Sequence, residues 1–369
     1  QLRPALPFST SPQLSISNGL STTQTQTESA AIFADGSARL SPTMRVLIGG
    51  RYSYDWVKAS SFSIVDPAYP PLLGANGFTI PYTPRALDSG STSKGDWSGR
   101  FGFEYAPNRD LMFFATIARG YLGPTVTFSG LTGTRTNVAP QTVRDITVGF
   151  KSQLFDRQVT LNANLFFDDY NNLQTSVFNG LEFLTENAGG FRANGFEMDA
   201  AWRVSPRFGL NGSFTYSDTQ FTDYVTACPK VVKAGLTCYT ANGTSLLQAA
   251  GEPLSGAPKY SATFGADFNH PVGDALVVDA STNIYYRSRV QYDVGNAISY
   301  QPGYYTIGAT FGIGAQDRSW HVGVFARNLM DTRFHTAVIG LPFSDAGGEV
   351  NWLSLEGRRT VGVTADMRF

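Results

Sequence analysis

The chain has 369 residues and a net charge of −1, with 42% hydrophobic and only 15% charged residues. No apolar run approaches the roughly 18 residues of a membrane-spanning helix, and no Lys/Arg-rich run of the kind that follows a phosphate backbone occurs. The sequence therefore argues against a helical membrane protein and against a nucleic-acid partner, while 38 glycines and 13% aromatic residues favour strands and turns.

Apolar and polar residues alternate in segment after segment along almost the whole chain. Near the front, Val46, Ile48 and Tyr52 alternate with Arg45 and Arg51. Such a period of two predicts strands whose two faces meet different surroundings. The strands predicted in chain order, about 13 in number, are 27–40, 43–59, 95–106, 110–123, 142–154, 157–173, 187–204, 207–221, 258–269, 274–292, 303–315, 318–333 and 357–369. Most reach the roughly 9 to 11 residues that cross a bilayer as a tilted strand.

The connections between these strands alternate between short and long. Tight turns rich in Pro, Asn, Asp and Gly, such as Ser41-Pro42 and Gln316-Asp317, alternate with long segments of mixed composition. The long connections lie around 60–94, 124–141, 174–186, 222–257, 293–302 and 334–356. This asymmetry is typical of an outer-membrane barrel, with periplasmic turns and exterior loops. A soluble β-sandwich also gives alternation, but it does not readily give strands this long with every second connection tight. The predicted fold is all-β, an antiparallel up-and-down transmembrane β-barrel.

The two faces of the predicted strands differ in the way a barrel requires. Aromatic residues gather near strand ends, where interfacial girdles lie. Charges on the opposite face would be prohibitive in a soluble core, but an aqueous or plugged lumen accepts them. These charged residues are Arg51, Arg100, Glu104, Lys151, Glu197, Asp199, Arg203, Asp267, Asp279, Arg287, Arg327, Asp366 and Arg368.

Three features leave alternatives open. Cys228 and Cys238, the two cysteines of the chain, fit either a disulfide that closes a small loop in an oxidising compartment or two unrelated thiols. The chain opens at Gln1, so that either a leader has been removed or the sequence is a fragment. An odd number of strands does not close a bacterial barrel. Either an N-terminal part is missing, or Leu14–Ser17 hides one more strand of a complete barrel with about 14 strands.

Enzyme chemistry is not predicted. His270, His321 and His335 show no metal-ligand spacing, the pair Glu197 and Asp199 fits the polar face, and the glycine-rich segment 312–317 is predicted to be a hairpin. No catalytic residue, metal site or cofactor is assigned.

Ligand contact is expected from aromatic and arginine side chains in the long loops, because these residue types are the usual anchors of binding surfaces. The alternative for each is ordinary loop packing or contact with lipopolysaccharide. The candidates are Tyr69, Phe78, Tyr82, Arg85, Phe128, Arg135, Tyr224 and Trp352.

Several segments together carry a family resemblance. They are LMFFATIARGYLGP (111–124), TVRDITVGFKSQLFDRQVTLNANLFFDDYNNLQTS (142–176), ENAGGFRANGFEMDAAW (186–202), VGVFARNLMDTRF (322–334) and GRRTVGVTADMRF (357–369), besides 31–55. In this order they resemble the C-terminal part, about two-thirds, of a TonB-dependent receptor, the large active transporter of the Gram-negative outer membrane. The most specific pieces are Asn-Ala-Gly followed by Gly-Phe-Glu, the run Arg-Asn-Leu-Met-Asp, and the terminal Phe369.

The resemblance implies an incomplete barrel, since the family's barrel has about 22 strands and is plugged. Residues 1–26 would be an exterior loop segment and 27–369 the barrel strands, without the plug domain. Phe369 would be the signal read by the barrel-assembly machinery. The loop CPKVVKAGLTC (228–238) resembles Cys-bearing loops of the family, and a disulfide there would rigidify an exterior, ligand-facing loop.

The function implied is TonB-energised uptake of a bulky, scarce nutrient, above all a ferric siderophore-type ligand. The implied partners are the TonB-ExbB-ExbD complex, contacted through the missing N-terminal part, and outer-membrane lipid and lipopolysaccharide. The protein would be a monomer integral to the outer membrane of a Gram-negative bacterium. The competing hypotheses are a plug-free diffusion porin of about 14 strands and an outer-membrane enzyme, for which no catalytic constellation can be assembled.

Overall fold

A computed structural model of the protein describes residues 19–65, 85–130, 133–178, 183–241, 243–340, 348–354 and 357–368. Within these ranges the chain forms 24 strands. Thirteen of them build one large sheet: Gly19–Arg39 (β1), Met44–Val65 (β2), Arg85–Asn108 (β3), Leu111–Leu122 (β4), Gln141–Leu154 (β7), Val159–Asn171 (β8), Gly190–Ser205 (β11), Phe208–Asp223 (β12), Tyr260–Val272 (β16), Leu276–Arg287 (β17), Tyr304–Ala315 (β20), Trp320–Arg327 (β21) and Thr360–Met367 (β24). The others are short strands in the long loops: Thr125–Phe128 (β5), Arg135–Val138 (β6), Gln174–Phe178 (β9), Phe183–Asn187 (β10), Val225–Ala227 (β13), Cys238–Ala241 (β14), Thr244–Gln248 (β15), Val290–Gln291 (β18), Tyr300–Gln301 (β19), His335–Gly340 (β22) and Glu349–Leu353 (β23).

The large sheet is a meander in which each strand pairs antiparallel with the next large strand along the chain. Every predicted strand is present, so the all-β, antiparallel architecture is confirmed. In the described residues, β1 pairs only with β2 and β24 only with β21, so the sheet is open and forms part of a barrel. The additional strand considered at Leu14–Ser17 lies outside the described residues.

The first three strands are longer than predicted. Strand β1 begins at Gly19, so residues 19–26, expected as part of an exterior loop, are strand; β2 continues to Val65, and β3 starts at Arg85. Their outer parts are rich in Ser, Thr, Gln and Gly and show no apolar alternation. Pairing nevertheless continues without a register shift from Gly19 opposite Val65, because main-chain hydrogen bonds do not require an apolar face. Alternation therefore predicted only the amphipathic parts of these strands.

The register separates two faces across the whole sheet. One row of directly paired residues consists of Ala115, Val148, Leu165, Phe196, Tyr216 and Tyr260. The adjacent row consists of Phe114, Gly149, Asn164, Glu197, Thr215, Ser261, Arg287 and Tyr304. We call these the apolar face and the polar face. Large side chains of the apolar face are exposed, as in Phe311 at 55% and Val363 at 69%, which is the surface that a lipid bilayer covers.

The two ends of the sheet differ. At one end the strands are joined by tight turns, such as that between β7 and β8, where Phe155, Asp156 and Arg157 all have positive φ values of 51° to 65°. At the other end the long connections contain their own small sheets: β5–β6, β9–β10, β13–β15–β14, β18–β19 and β22–β23. Sequence analysis took these segments for irregular loops, because strands of two to six residues are too short to show a period. No helix in the described ranges is long and apolar enough to span a membrane.

Candidate functional site: the structured loops over the polar face

Side chains on the polar face form hydrogen bonds with one another. Asn162 Nδ2 donates to Asp199 Oδ2 at 2.8 Å, and Asn164 Nδ2 donates to Glu197 Oε2 at 3.3 Å. Glu197 and Asp199 are both exposed, so neither carboxylate is buried in an apolar core. The two acidic residues that sequence analysis placed on this face thus belong to a hydrated, hydrogen-bonded surface.

A second set of contacts on the polar face joins titratable side chains of strands that are separated by one other strand, β1 with β3 and β17 with β21. Arg100 Nη2 lies 2.9 Å from Asp35 Oδ2, and His321 Nε2 lies 2.7 Å from Asp279 Oδ1. In the described part of the chain, no group of three or more His, Cys, Asp or Glu side chains is arranged to hold a metal ion. Asp35 and Arg100 therefore balance each other's charge, and Asp279 has a hydrogen-bond partner in His321.

Two hairpins, β5–β6 and β9–β10, form what we call the hairpin cluster. Thr127 Oγ1 donates to the Thr185 carbonyl at 3.1 Å across the two hairpins. Gln174 Nε2 donates to the carbonyls of Gly123 and Ala139, both at 2.9 Å. The two hairpins are thus bound to each other by side-chain amides as well as by the strands from which they emerge.

Asn187 and an apolar contact complete the hairpin cluster. Asn187 Nδ2 donates to the carbonyls of Ala139 at 3.0 Å and Asn172 at 2.9 Å, while Asn187 Oδ1 accepts from the Ala139 amide at 2.8 Å. Beneath the hairpin, Val126 is buried against Val57 of β2, which also packs with Ala59. Val57 lies on the same side of β2 as Arg45, so the hairpin folds over the polar face.

The remaining three loops form what we call the three-loop cluster, built from β13–β15, β18–β19 and β22–β23. Lys233 Nζ lies 2.9 Å from both carboxylate oxygens of Glu252, which is 7% exposed. Tyr292 Oη donates to the His335 carbonyl at 2.7 Å. Isolated pairing between Val232 and Asn296 adds a backbone link between two of the loops. Each loop in this cluster is therefore bonded to at least one other.

Two carboxyl groups meet where the loops of the three-loop cluster join. Asn296 Nδ2 donates to Asp293 Oδ2 at 3.0 Å and to Glu349 Oε1 at 3.4 Å. Burial raises the pKa of Asp293, partly offset by the hydrogen bond from Asn296. Burial also raises the pKa of Glu349, with a further contribution from the negative charge of Asp293. The junction thus favours protonated carboxyl groups.

A small apolar core holds the three-loop cluster to the strand ends. Phe191 on β11, Phe221 on β12 and Val294 of the β18–β19 loop are all buried in it, together with Ala249. Tyr224 lies in the same core, 7% exposed, with its ring 4.6 Å from that of Phe221. Burial raises the pKa of the Tyr224 hydroxyl. The loops at this end of the sheet are consequently packed structures with a core of their own.

Cys228 and Cys238 are joined by a disulfide in the three-loop cluster. The bond closes a loop with a sequence separation of 10 residues, and Cys238 begins β14, which pairs with β15. The loop CPKVVKAGLTC is thereby tied to the small sheet β13–β15–β14.

The structure separates the candidate ligand contacts into groups. Trp352 on β23 is 58% exposed, and Arg135 on β6 is exposed with Nη1 donating to the Ser89 carbonyl at 2.7 Å. Phe128 is partly buried against the contact of Val126 and Val57. Three candidates, Tyr69, Phe78 and Tyr82, and the terminal Phe369, lie outside the described residues. Arg85 is the first residue of β3, and its side chain is not described.

The structure places the remaining candidate, Tyr224, away from the surface of the loops. Its ring is an integral part of the apolar core, and a residue 7% exposed offers almost no surface to a ligand. A single aromatic residue in a polar loop gives no sequence signal that separates a surface anchor from the core of a small loop domain.

A polar cleft of about 710 Å³ lies beside Arg135, between β6 and the outer parts of the first three strands. Its lining includes Gln24, Gln26, Lys58 and Ser91. Sequence analysis missed these residues because it assigned their segments to loops or took no account of polar positions in strands. By register, Gln26, Lys58 and Ser91 lie in one paired row on the side of the sheet that carries the apolar face.

Taken together, an antiparallel meander with an apolar and a polar face, tight turns at one end and structured loops at the other, defines a transmembrane β-barrel. The family model described as "TonB dependent receptor-like, beta-barrel" matches residues 3–329. The chain therefore belongs to the TonB-dependent receptor β-barrel family.

Several solved structures share this fold. The ferric yersiniabactin uptake receptor FyuA from Yersinia pestis has a TM-score of 0.74 at 18% identity, over 95% of this chain and 47% of that chain. The ferric-catecholate import receptor Fiu from E. coli K12, in its closed form, has a TM-score of 0.66 at 19% identity, over 94% and 45%. The siderophore receptor PiuA from Acinetobacter baumannii has a TM-score of 0.62 at 16% identity, over 93% and 43%. The present chain spans somewhat less than half the length of these structures, and at these identities they show the fold alone.

Proposed function

We propose that this chain is the barrel portion of an outer-membrane receptor that takes up a ferric siderophore-type ligand with energy supplied through TonB. Several similar structures are described as receptors for ferric siderophores, including that for ferric yersiniabactin, and another as a ferric citrate transporter. The observation that carries the proposal is the packing of the loops into two clusters over the polar face, with Trp352 and Arg135 exposed on them.

Packed loops suit ligand capture because a surface that is already ordered loses little conformational entropy on binding. The disulfide between Cys228 and Cys238 closes one loop, and the Lys233–Glu252 ion pair ties it to the segment that follows β15. In this proposal Trp352, Arg135 and Phe128 contact the ligand, whereas Tyr224 supports the loops from below.

The partners follow from family membership and are likewise proposed. Receptors of this family work with the TonB complex, and we assign contact with TonB-ExbB-ExbD to a segment N-terminal to this chain. Phe369 is proposed as the signal for the barrel-assembly machinery, and the apolar face as the surface against outer-membrane lipid and lipopolysaccharide. We propose a monomer, integral to the outer membrane of a Gram-negative bacterium, and no catalytic activity.

Uptake by the full-length native protein tests the proposal. Cells lacking the gene are complemented with wild-type or variant full-length protein, and accumulation of 55Fe from a panel of ferric siderophores is measured under iron limitation. We expect uptake of one ligand class, lowered at least tenfold by Trp352→Ala combined with Arg135→Ala. Phe155→Ala combined with Arg157→Ala, in the turn at the opposite end of the sheet, serves as the matched control and should transport normally. Unchanged uptake of all the ligands on deletion of the gene would refute a siderophore receptor.

Conductance separates this proposal from the diffusion porin. A plugged receptor of full length should conduct little when inserted in a planar bilayer, whereas a plug-free porin of about 14 strands conducts continuously. A steady open-channel current from the native protein would contradict the transporter proposal and favour the porin.

A further inference from the structure

A groove of about 430 Å³ lies on the apolar face of β2, β3 and β4, away from the loop clusters. Gly50 and Gly99 are directly paired across β2 and β3. Because neither has a side chain, the sheet surface is recessed at this point. Residues that border the groove on the apolar face are Ile48, Trp97, Phe101 and Ile117.

The walls of the groove are apolar and open to the surroundings of the sheet. Ile48 is 64% exposed, Trp97 55% and Phe101 49%. Ile48 is paired with Phe101, and Phe101 with Ile117, so these side chains form a continuous ledge along one edge of the recess. In a membrane this ledge contacts lipid acyl chains. The recess beside it allows one acyl chain to lie directly against the backbone of β2 and β3.

Charged residues begin at the level of the two glycines. The paired row that continues from Gly50 and Gly99 consists of Arg119, Arg144, Asp169 and Arg192. The next row on the same face, two residues nearer the tight turns on each strand, consists of Phe101, Ile117, Ile146 and Phe167. This change from apolar to charged side chains marks the loop-side border of the membrane band, where lipid headgroups lie.

Arg144 is the cation of this row that has no charge partner in the described part of the chain. Arg119 is held by Asp96, with both guanidinium nitrogens 2.9 Å from the carboxylate oxygens. Asp169, opposite Arg144, is bonded instead to Arg192 at 3.4 Å. Among the described residues Arg144 forms no ion pair, and its side chain is exposed beside the groove.

We propose that this groove binds an anionic, acylated membrane lipid of the loop-side leaflet. An acyl segment lies in the recess over Gly50 and Gly99, and the phosphate of the headgroup pairs with Arg144. Charge complementarity selects the occupant, because an unbalanced guanidinium at the headgroup end of an apolar groove suits a phosphate-bearing lipid. This site is separate from the proposed ligand-binding loops.

Two glycines allow a matched test of the acyl contact. A Cβ atom added at Gly50 would meet nothing within 4 Å, and the same holds for Gly36 on β1. Gly36 is paired with Ile48 on the same face but does not line the groove. Gly50→Leu therefore places a side chain in the recess whose Cβ meets no other atom, while Gly36→Leu adds the same side chain outside the recess.

The full-length native protein, purified in mild detergent and delipidated, is titrated with dioleoyl phosphatidylglycerol and followed by native mass spectrometry. Dioleoyl phosphatidylcholine and sodium phosphate are the comparison ligands. We expect phosphatidylglycerol to bind more tightly than phosphatidylcholine, and Gly50→Leu to weaken it at least tenfold through lost acyl burial. Gly36→Leu should bind as the wild type does. Arg144→Gln should weaken phosphatidylglycerol about fivefold and abolish the preference over phosphatidylcholine, whereas Arg144→Lys retains the preference.

Each outcome decides for or against the site. Equal binding of phosphatidylglycerol by Gly50→Leu and Gly36→Leu would overturn the proposal that the groove holds an acyl chain. Full displacement of phosphatidylglycerol by sodium phosphate would overturn it too, because it would show an anion site without an acyl contact. Folding of every variant is checked by heat-modifiable mobility on gels. If Gly50→Leu does not fold, an undiminished lipid preference in Arg144→Gln overturns the proposal on its own.

Discussion

Replacing Asn187 by alanine should open the hairpin cluster without unfolding the barrel. The substitution removes three hydrogen bonds of 2.8 to 3.0 Å, two donated to the carbonyls of Ala139 and Asn172 and one accepted from the Ala139 amide. At about 1 kcal/mol for each hydrogen bond, less an allowance for water that replaces some of them, the free energy of local opening should fall by about 2 kcal/mol. The β5–β6 and β9–β10 hairpins should then open about 30 times more often.

Hydrogen–deuterium exchange of the full-length protein measures this opening directly. Peptides that cover residues 135–141 and 172–187 should exchange about 30-fold faster in Asn187→Ala, while peptides from β16 and β17 stay unchanged. Asn171→Ala is the matched control, because Asn171 is exposed and its side chain makes no hydrogen bond to another described residue. Equal exchange in the two variants would refute the view that side-chain amides hold these hairpins together.

Three further predictions concern the three-loop cluster and the membrane band. The raised pKa values of Asp293 and Glu349 mean that the folded cluster binds more protons than the unfolded loops, so its stability should fall as pH rises through the folded-state pKa values. Limited proteolysis of the cluster should therefore be slower near pH 4.5 than at pH 7, and Asp293→Asn should flatten this dependence. Cys228→Ser should lower the stability of the same loops by about 3 kcal/mol for a closed loop with a separation of 10 residues, seen as faster proteolysis that reducing agent does not increase further. Phe311→Arg, on the apolar face, should cost about 2 to 4 kcal/mol and reduce barrel assembly, while Thr310→Arg, on the polar face, should assemble normally; equal yields of heat-modifiable protein would contradict the assignment of faces.

The large sheet was predictable because its strands are long and amphipathic. In β8 and β12, lipid-facing and water-facing residues alternate over 13 and 16 residues, which is enough to establish a period and a face from the chain alone. The outer part of β1 shows the limit of that signal. From Gly19 to Gln26 neither face is apolar, and the strand exists because β2 supplies main-chain partners opposite it.

The loops are the part of the molecule that local patterns did not predict. Tyr224 illustrates the reason, since its burial depends on Phe221, Ala249 and Val294, which come from separate segments of the chain. The same holds for Asn187, whose three hydrogen bonds join it to Ala139 and Asn172. It also holds for Arg144, which has no ion-pair partner among the described residues because Asp169 pairs with Arg192.

Local sequence was sufficient for the strands, the tight turns and the two faces because each of these depends on residues within a few positions of one another. The packing of the loops, the polar cleft beside Arg135 and the groove over Gly50 depend on contacts between residues far apart in the chain. Their positions are set by strand register and by the small cores of the loops, where a single hydrogen bond or a missing side chain changes the surface. Such long-range contacts produce no periodic pattern in the sequence.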